Sequence, residues 1–460
     1  MLKHLKLSDQ LIKYWLAAIF IFIPLYPKFP FIRIPGTYVA IRVEDFLIAI
    51  LAVFVAIRIA PRLKEIFTKD KIVRSVTFLL LIGLASLVSA ILVTKTITPY
   101  LGILHWVRRI EYFVPLIAGM YIFRKEKGRA NLEFYLKILM VVVFFLFLYG
   151  FGQKHFNFPV IITQNEEYSK GIALRWIPGS HINSTFAGHY DLASFMVIVL
   201  PILASLFLLL KGIKTKVAIS ISFFAGLWLL VNSASRISLV SYLLATSIAF
   251  ILIKKKKAII PLVLITLIFS TFSSDLIARY NQIIDVAVKK ITLVPKVVLA
   301  QDENTLLQAN PTVSTPTPTP QPVFEDRSTS IRLNVEWPRA IRGFIKNPLV
   351  GTGYSSITLA TDNDFLRLLG EIGILGFVGF LLILFRIAKV FAEACSCLEK
   401  FSAIKRAFIA GMVGGSVGIL TNAFFIDIFE ASKFAIIFWL LIGYGIYLVK
   451  TELNEQNNEI

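Results

Sequence analysis

The sequence predicts an all-α polytopic membrane protein with about 12 transmembrane helices. Hydrophobic residues make up 57% of its 460 residues and the mean hydropathy is +0.75, whereas a soluble domain is typically about 45–50% apolar. These residues fall in long runs, and one bilayer crossing needs about 20 of them. Twelve runs are long enough or nearly so: 12–27, 40–60, 74–94, 104–123, 134–153, 189–211, 215–231, 236–253, 258–273, 366–389, 404–424 and 431–450.

Lysine and arginine set the predicted orientation. With the N-terminus placed in the cytoplasm, 27 of the 48 basic residues lie in the short loops and span ends of the cytoplasmic side, and every such loop is basic. This is the pattern of the positive-inside rule. We therefore expect both termini in the cytoplasm. The net charge of +20 reflects topology and attraction to anionic lipid, not nucleic-acid binding.

Three parts follow along the chain. Residues 1–273 hold spans one to nine, residues 274–365 form an extracytoplasmic loop domain, and residues 366–460 hold the last three spans and a cytoplasmic tail. Within the loop domain, the Pro/Thr-rich stretch 310–322 predicts an extended linker, because it cannot pack a core.

Amphipathic helix patterns flank this linker. In the second, from 328 to 346, Pro338 is expected to kink or split the helix. Its apolar face holds Ile331, Val335, Ile341 and Ile345, and its charged face holds Arg332, Glu336 and Arg339. The simplest expectation is two short helices that lie on the membrane surface or over a cavity.

Four groups of ionisable residues lie in the outer half of the predicted membrane region, where charge is costly and usually faces a cavity or a partner. Three of them are His105, Arg108, Arg109 and Glu111 in span four; Arg175, His181, His189 and Asp191 before span six; and Arg236 at the start of span eight. Each also has an ordinary explanation: a snorkelling arginine, one structural ion pair, or a helix-start charge.

The fourth group opens span ten, in "GTGYSSITLATDNDFLRLLGEIGILG". Helix capping, with Thr361 as the cap, explains the charges of Asp362 and Asp364. It does not explain Arg367 and Glu371, which lie deeper. A polar cavity at the outer leaflet does explain them.

The ligand of such a cavity follows from its arginines. The loop domain adds Arg327, Arg332, Arg339 and Arg342. Planar guanidinium groups make bidentate contacts with phosphate oxygens. The residues alone therefore predict a substrate like a phospholipid in the outer leaflet, with its apolar tail in the bilayer.

The stretch from 347 to 384 resembles the signature of the O-antigen ligase and O-antigen polymerase superfamily. Its parts are a Pro-x-x-Gly-x-Gly turn at Pro348, Gly351 and Gly353; a polar helix start at Asp362, Asn363, Asp364, Phe365 and Leu366; and a Glu-x-Gly-x-x-Gly run at Glu371, Gly373 and Gly376. Supporting matches are "STFAGHYDLASFMVIVLP" and "NSASRISLV". The resemblance covers roughly residues 100 to 445.

The resemblance implies a GT-C-like enzyme of the plasma (inner) membrane. It implies transfer of a glycan from an undecaprenyl-pyrophosphate carrier to a lipid, glycan or protein acceptor, without a metal or other cofactor and with no nucleic acid as partner. The ligase branch has His, taken as the general base, at the position of Asp362. In this chain the base that assists the attack is then Asp362 or His189, or the attack proceeds without a protein base.

Arginines complete the expected site. Arg236 and Arg109 are predicted to stabilise the departing pyrophosphate, as catalytic groups beside Asp362 and His189. Substrate contacts are predicted for Arg175, Arg332, Arg339, Asn363, Arg367 and Glu371.

Two other functions fit parts of the sequence. "DND" at 362–364 also reads as an Asp-x-Asp site for Mg²⁺ or Mn²⁺ in a metal-dependent glycosyltransferase. Twelve spans also suit a transporter of lipid-linked sugars, although the repeated halves common in transporters are missing from the sequence.

The orientation can be tested by labelling. A Ser314→Cys variant places a thiol in the predicted outer linker, so a membrane-impermeant maleimide should label it in intact cells. The native Cys395 and Cys397 lie in a predicted cytoplasmic loop and provide the control, because they should react only after lysis. Labelling of the new thiol only after lysis contradicts the predicted orientation.

Overall fold

The computed structural model describes residues 8–29, 31–33, 40–123, 128–161, 173–174, 180–273, 330–357 and 360–458. The first amphipathic pattern and the Pro/Thr-rich linker lie outside these residues. The regular secondary structure of the described residues is helical apart from two antiparallel ladders of two residues a strand, which join Ile32–Arg33 to Ala40–Ile41 and Val160–Ile161 to Ala173–Leu174. The predicted all-α class is confirmed.

The helices are labelled in chain order. They are α1 Asp9–Leu25, α2 Val43–Ile59, α3 Leu63–Lys69, α4 Lys71–Leu92, α5 Pro99–Tyr121, α6 Gly128–His155, α7 His189–Leu209, α8 Ile213–Asn232, α9 Arg236–Leu252, α10 Ile259–Ser270, α11 Trp337–Lys346, α12 Asp364–Ser396, α13 Ala403–Ala423 and α14 Ser432–Asn458.

Eight helical segments of the described chain are long and apolar enough to cross a membrane, with α2 and α3 counted together as Val43–Lys69, so this is a multi-pass membrane protein. All twelve predicted segments are helical, but four fall outside those eight. Helices α1 and α9 have 17 residues each and α10 has 12. Helix α5 carries Arg108, Arg109 and Glu111. The predicted count of twelve is therefore not reached by length and composition.

Helices α7 and α14 form the centre of the bundle. The apolar stretch of α7 is 83% buried and that of α14 is 89% buried, against 17% for the α2–α3 segment. Helix α13 packs closely against α7 and α9, because glycines remove the side chains in between. A Cβ on Gly411 would lie 2.5 Å from the Ile202 Cα, and one on Gly414 would lie 2.1 Å from the Ala245 carbonyl oxygen. Small residues play this role in membrane bundles generally.

The second amphipathic pattern forms a π-helical turn, Arg332–Glu336, followed by α11, with Pro338 in the first turn of α11. The change from π-helical to α-helical geometry lies just before Pro338, where a kink or split was expected, and the helical backbone continues through the proline. The charged face points into the protein and the apolar face points out, since Ile345 is 67% exposed and Ile341 is 44% exposed. An apolar face turned outward, on a helix that packs against α12, is typical of helices that lie at a membrane surface.

Candidate active site

Helix α12 is broken near its start. Gly373 has a φ of +66°, a conformation that suits glycine. The carbonyl oxygens of Gly370 and Glu371 accept hydrogen bonds from the backbone N–H groups of Thr352 (3.0 Å) and Gly353 (2.8 Å). In an apolar bundle the backbone groups freed at a break need such partners. The turn before the helix therefore closes the break.

The same turn packs directly on the broken helix. A Cβ on Gly351 would lie 2.4 Å from the carbonyl carbon of Glu371, and one on Gly373 would lie 2.4 Å from the carbonyl oxygen of Leu349. The backbone N–H of Ile374 donates to Pro348 at 2.9 Å. The Pro-x-x-Gly-x-Gly and Glu-x-Gly motifs are thus two halves of one structural unit.

That unit fixes the side chain of Glu371, which is 2% exposed. Its Oε1 accepts a hydrogen bond from the Ser355 backbone N–H at 3.2 Å and lies 3.4 Å from the Arg367 Nε. Its Oε2 lies 3.9 Å from the Arg109 Nη2. Glu371 therefore stands between two guanidinium groups inside the bundle.

A second carboxylate, from Glu430, completes this network. It pairs with Arg109 and lies 3.8 Å from the Arg367 Nε. Burial opposes ionisation of Glu430, but Arg109 and Arg367 outweigh that effect and lower its pKa to about 2. These four side chains, with Tyr354 and other neighbours, surround a cavity of about 60 Å³. That is room for a few water molecules, not for a sugar.

The loop between α13 and α14 binds the start of α12 reciprocally. The carboxylate of Asp427 accepts the backbone N–H groups of Thr361 (2.7 Å) and Asn363 (3.1 Å) and pairs with Arg367 at 3.0 Å. The carboxylate of Asp364 in turn accepts the N–H groups of residues 428 (2.9 Å) and 429 (3.2 Å). Each segment thus satisfies the other's backbone.

Sequence reasoning missed Asp427 and Glu430. A signal for them exists in "NAFFIDIFEASKF", where two acidic residues interrupt an apolar stretch between two spans. Acidic residues in that setting usually have a buried partner.

The predicted cap of α12 was wrong. The cap is Asn363, whose side-chain oxygen accepts the Leu366 backbone N–H at 2.9 Å and whose Nδ2 donates to the Phe424 carbonyl at 3.0 Å. Asp362 has a φ of +48°, so the chain reverses just before the helix. Thr361 consequently lies too early to cap it.

At the mouth of the network, Asp362 pairs with Arg332 from the π-helical turn. The Asp362 Oδ2 accepts from both Nη2 (2.8 Å) and Nε (3.0 Å) of Arg332. Burial raises the pKa of Asp362, Arg332 opposes the rise, and Asp427 adds to it, so the net direction is upward.

Tyr190, in the first turn of α7, lies close enough to Arg332 to act on it electrostatically. Next to Tyr190 lies His189, with ring centroids 4.0 Å apart, and the His181 ring lies 4.3 Å from that of His189. The start of α7 therefore reaches the Asp362–Arg332 pair, and His189 is one residue removed from it.

Hydrogen bonds from Asn422 connect the start of α9 to α7 and to the end of α13. The side-chain amide of Asn422 donates to Ser194 in α7 (2.9 Å) and to Ser238 in α9 (3.1 Å). Asn422 lies two residues before Phe424, whose carbonyl oxygen accepts from Asn363. Arg236 begins α9, two residues before Ser238.

The structure thus unites most of the predicted site residues. Direct contacts join Arg109, Asn363, Arg367 and Glu371 to one another through Asp427 and Glu430. Arg332 and Asp362 pair with each other beside this network. Arg339 lies on α11, whose charged face points at them. Arg175 falls outside the described residues. The roles assigned to these residues stay predictions.

The two aspartates of the "DND" stretch have separate partners. Asp362 binds a guanidinium group, while Asp364 binds backbone amides of the 424–431 loop. Within the described ranges, no group of three or more His, Cys, Asp or Glu side chains is arranged to hold a metal ion.

Residues 221–381 match a family model described as O-Antigen ligase. The matched segment contains Arg236, Arg332, Asp362 and the glycine turn that packs on α12. A search of curated proteins finds no match to the chain. The match confirms the predicted resemblance over this segment, which lies within the predicted range of roughly 100 to 445.

Asp427 should matter greatly for stability. An Asp427→Ala change removes an ion pair with Arg367 and leaves two backbone amides without an acceptor, so we expect a loss of about 2–5 kcal/mol in the free energy of unfolding. SDS-induced unfolding of the detergent-solubilised protein measures this loss. Glu399→Ala is the control, because Glu399 pairs with Lys254 at the exposed surface, and its unfolding midpoint should not move. Equal midpoints for both variants contradict the reciprocal binding described above.

Proposed function

This membrane protein carries an O-antigen ligase family domain, and on that premise we propose that it transfers a glycan from an undecaprenyl-pyrophosphate carrier to a hydroxyl acceptor. The acceptor oxygen attacks the anomeric carbon of the lipid-linked sugar. The bond from that carbon to the pyrophosphate oxygen breaks, and the pyrophosphate keeps the electron pair. A carboxylate of the site takes the hydroxyl proton.

The Arg332–Asp362 pair carries this proposal. It lies outside the closed ion-pair network, at a place where the starts of α7 and α12 meet the π-helical turn. A guanidinium group held in a fixed orientation suits the pyrophosphate, because such groups bind phosphate oxygens in a bidentate way. Fixed charge that faces a leaving group is usually the largest catalytic contribution.

The arginines divide between two roles in this proposal. Arg332 and Arg236 stabilise the leaving group. Arg109 and Arg367 each contact two or more carboxylates inside the bundle, so we assign them to holding the start of α12 and the 424–431 loop in place. The apolar outer face of α11 keeps the site at the bilayer surface, where the carrier's tail lies.

One experiment separates this function from its alternatives. The purified protein is mixed with an undecaprenyl-pyrophosphate-linked oligosaccharide and candidate acceptors, and products are analysed by mass spectrometry with and without EDTA. A new glycosidic bond that forms equally in EDTA supports the proposal. Loss of product in EDTA indicates metal-dependent transfer, and movement of the intact lipid-linked sugar across proteoliposomes without a new bond indicates a transporter.

Asp362→Asn should lower glycan transfer at least tenfold. Asparagine tolerates the left-handed backbone that residue 362 adopts, so the fold should persist while the carboxylate and its ion pair with Arg332 are lost. Transfer per mole of membrane-inserted protein is the measurement. Asp9→Asn is the control, since Asp9 pairs with Arg58 at the start of α1, away from the α12 start. Normal transfer by Asp362→Asn means that residue 362 serves the fold alone.

The contribution of Arg236 to glycan transfer should depend on the shape of its guanidinium group as well as on its charge. Lysine keeps the charge and loses the two-pronged contact. We therefore expect Arg236→Lys to retain more transfer than Arg236→Ala, with both below the parent. Initial rates at saturating donor provide the comparison. Equal activity of all three proteins removes Arg236 from the site.

A further inference from the structure

Polar atoms on the charged face of α11 and its π-helical turn are buried without a hydrogen-bond partner among the described residues. They are the Glu336 Oε2 and the Arg339 Nη1. The Thr361 Oγ1, on the loop before α12, is likewise buried without a hydrogen-bond partner among the described residues. Native proteins leave few buried polar atoms unpaired. Three of them around one pair of segments indicate groups that are set aside for a ligand.

Glu336 is the most informative of them. It ends the π-helical turn that begins with Arg332, and such turns occur frequently at functional sites. The charged groups that act on Glu336 are Arg332 and Arg339 from its own helical segment, Asp362 from the loop before α12, and Asp427 from the loop between α13 and α14. Glu336 therefore faces the Asp362–Arg332 pair from the side of α11.

The carboxylates of Asp362 and Glu336 differ in the hydrogen bonds that they accept. Asp362 already accepts two N–H groups of Arg332, and charge-assisted bonds of this kind stabilise the ionised form. For Glu336, burial together with the charges of Asp362 and Asp427 raises the pKa to about 7, against the opposite effect of Arg332 and Arg339. A base is most effective when its pKa lies near the working pH.

We propose that Glu336 is a further catalytic residue, the group that accepts the proton of the attacking acceptor hydroxyl, and that Asp362 is a positioning residue that holds Arg332. This inference rests on the proposed glycan transfer. The hydroxyl proton passes to the Glu336 carboxylate as the oxygen bonds to the anomeric carbon, and the pyrophosphate departs with the electron pair beside Arg332. Arg339 and Thr361 offer a donor and a hydroxyl to neighbouring hydroxyls of the acceptor sugar.

The first test needs no substrate. Infrared spectra of the full chain in proteoliposomes are recorded from pH 5 to 9, and the Glu336→Gln spectra are subtracted from those of the parent. We expect one protonated-carboxyl band that disappears with a midpoint near pH 7. Absence of that band already at pH 5 overturns the proposal, whether or not the protein transfers glycans.

The second test follows the rate of transfer against pH. The donor is an undecaprenyl-pyrophosphate-linked oligosaccharide extracted from the producing cells, and those cells' own membranes supply the acceptor. Because the base must be ionised, the parent's rate should rise with pH and level off above about pH 7. Glu336→Gln should be about 10²–10⁴-fold slower than the parent, and its rate should no longer rise with pH. Glu336→Asp keeps a carboxylate, so its rate should lie between the two and should still rise with pH.

Asp362→Asn separates the two roles. It should be slow, yet its rate should still rise with pH, and the rise should lie at lower pH because a negative charge that raises the pKa of Glu336 is gone. If instead Asp362→Asn abolishes the rise and Glu336→Gln keeps it, Asp362 is the base and the proposal is wrong. If the parent makes no product with any acceptor, the proposed function fails, and the infrared titration still decides the state of Glu336.

Discussion

The break of α12 at Gly373 is the constraint on which this end of the molecule depends. A helix in an apolar bundle cannot leave freed carbonyl groups unpaired, so the turn at 347–353 must close against it, and it fits only where glycine leaves room. With the turn in place, Glu371 is held at a fixed depth. Its carboxylate then determines where Arg109 and Arg367 can lie, because a guanidinium group in this environment has to face a negative charge.

Further contacts connect this buried network to the Asp362–Arg332 pair. Arg367 reaches Asp427, Asp427 holds the backbone before α12, and Asp364 holds the 424–431 loop in return. Buried ion pairs of this kind add little net stability compared with apolar packing, because each charge gives up its hydration. What they add here is one defined arrangement. Asp362 consequently meets Arg332 in a fixed geometry although both lie in segments outside the long helices.

The sequence predicted the positions of the helices and the signature well, because apolar runs and glycine motifs are local patterns. It could not relate Asp427 to Arg367, since the two lie 60 residues apart and no periodicity connects them. The pattern around Glu336 showed which residues share a face of the helix but not which face is buried. In this protein the charged face of α11 lies toward α12, against which the helix packs, and Ile345 is exposed.

The aspartate at 362, where the ligase branch has histidine, changes the electrostatics of the whole site. A neutral imidazole would leave the charge of Arg332 largely uncompensated, whereas a carboxylate neutralises it and accepts two of its N–H groups. A carboxylate so engaged would have to give up its contacts with Arg332 in order to take a proton. In the proposed transfer the proton of the acceptor then needs another destination. We place it on Glu336, one turn along from Arg332, whose Oε2 has no hydrogen-bond partner among the described residues. The departure at 362 and the acid on the π-helical turn are therefore best understood together.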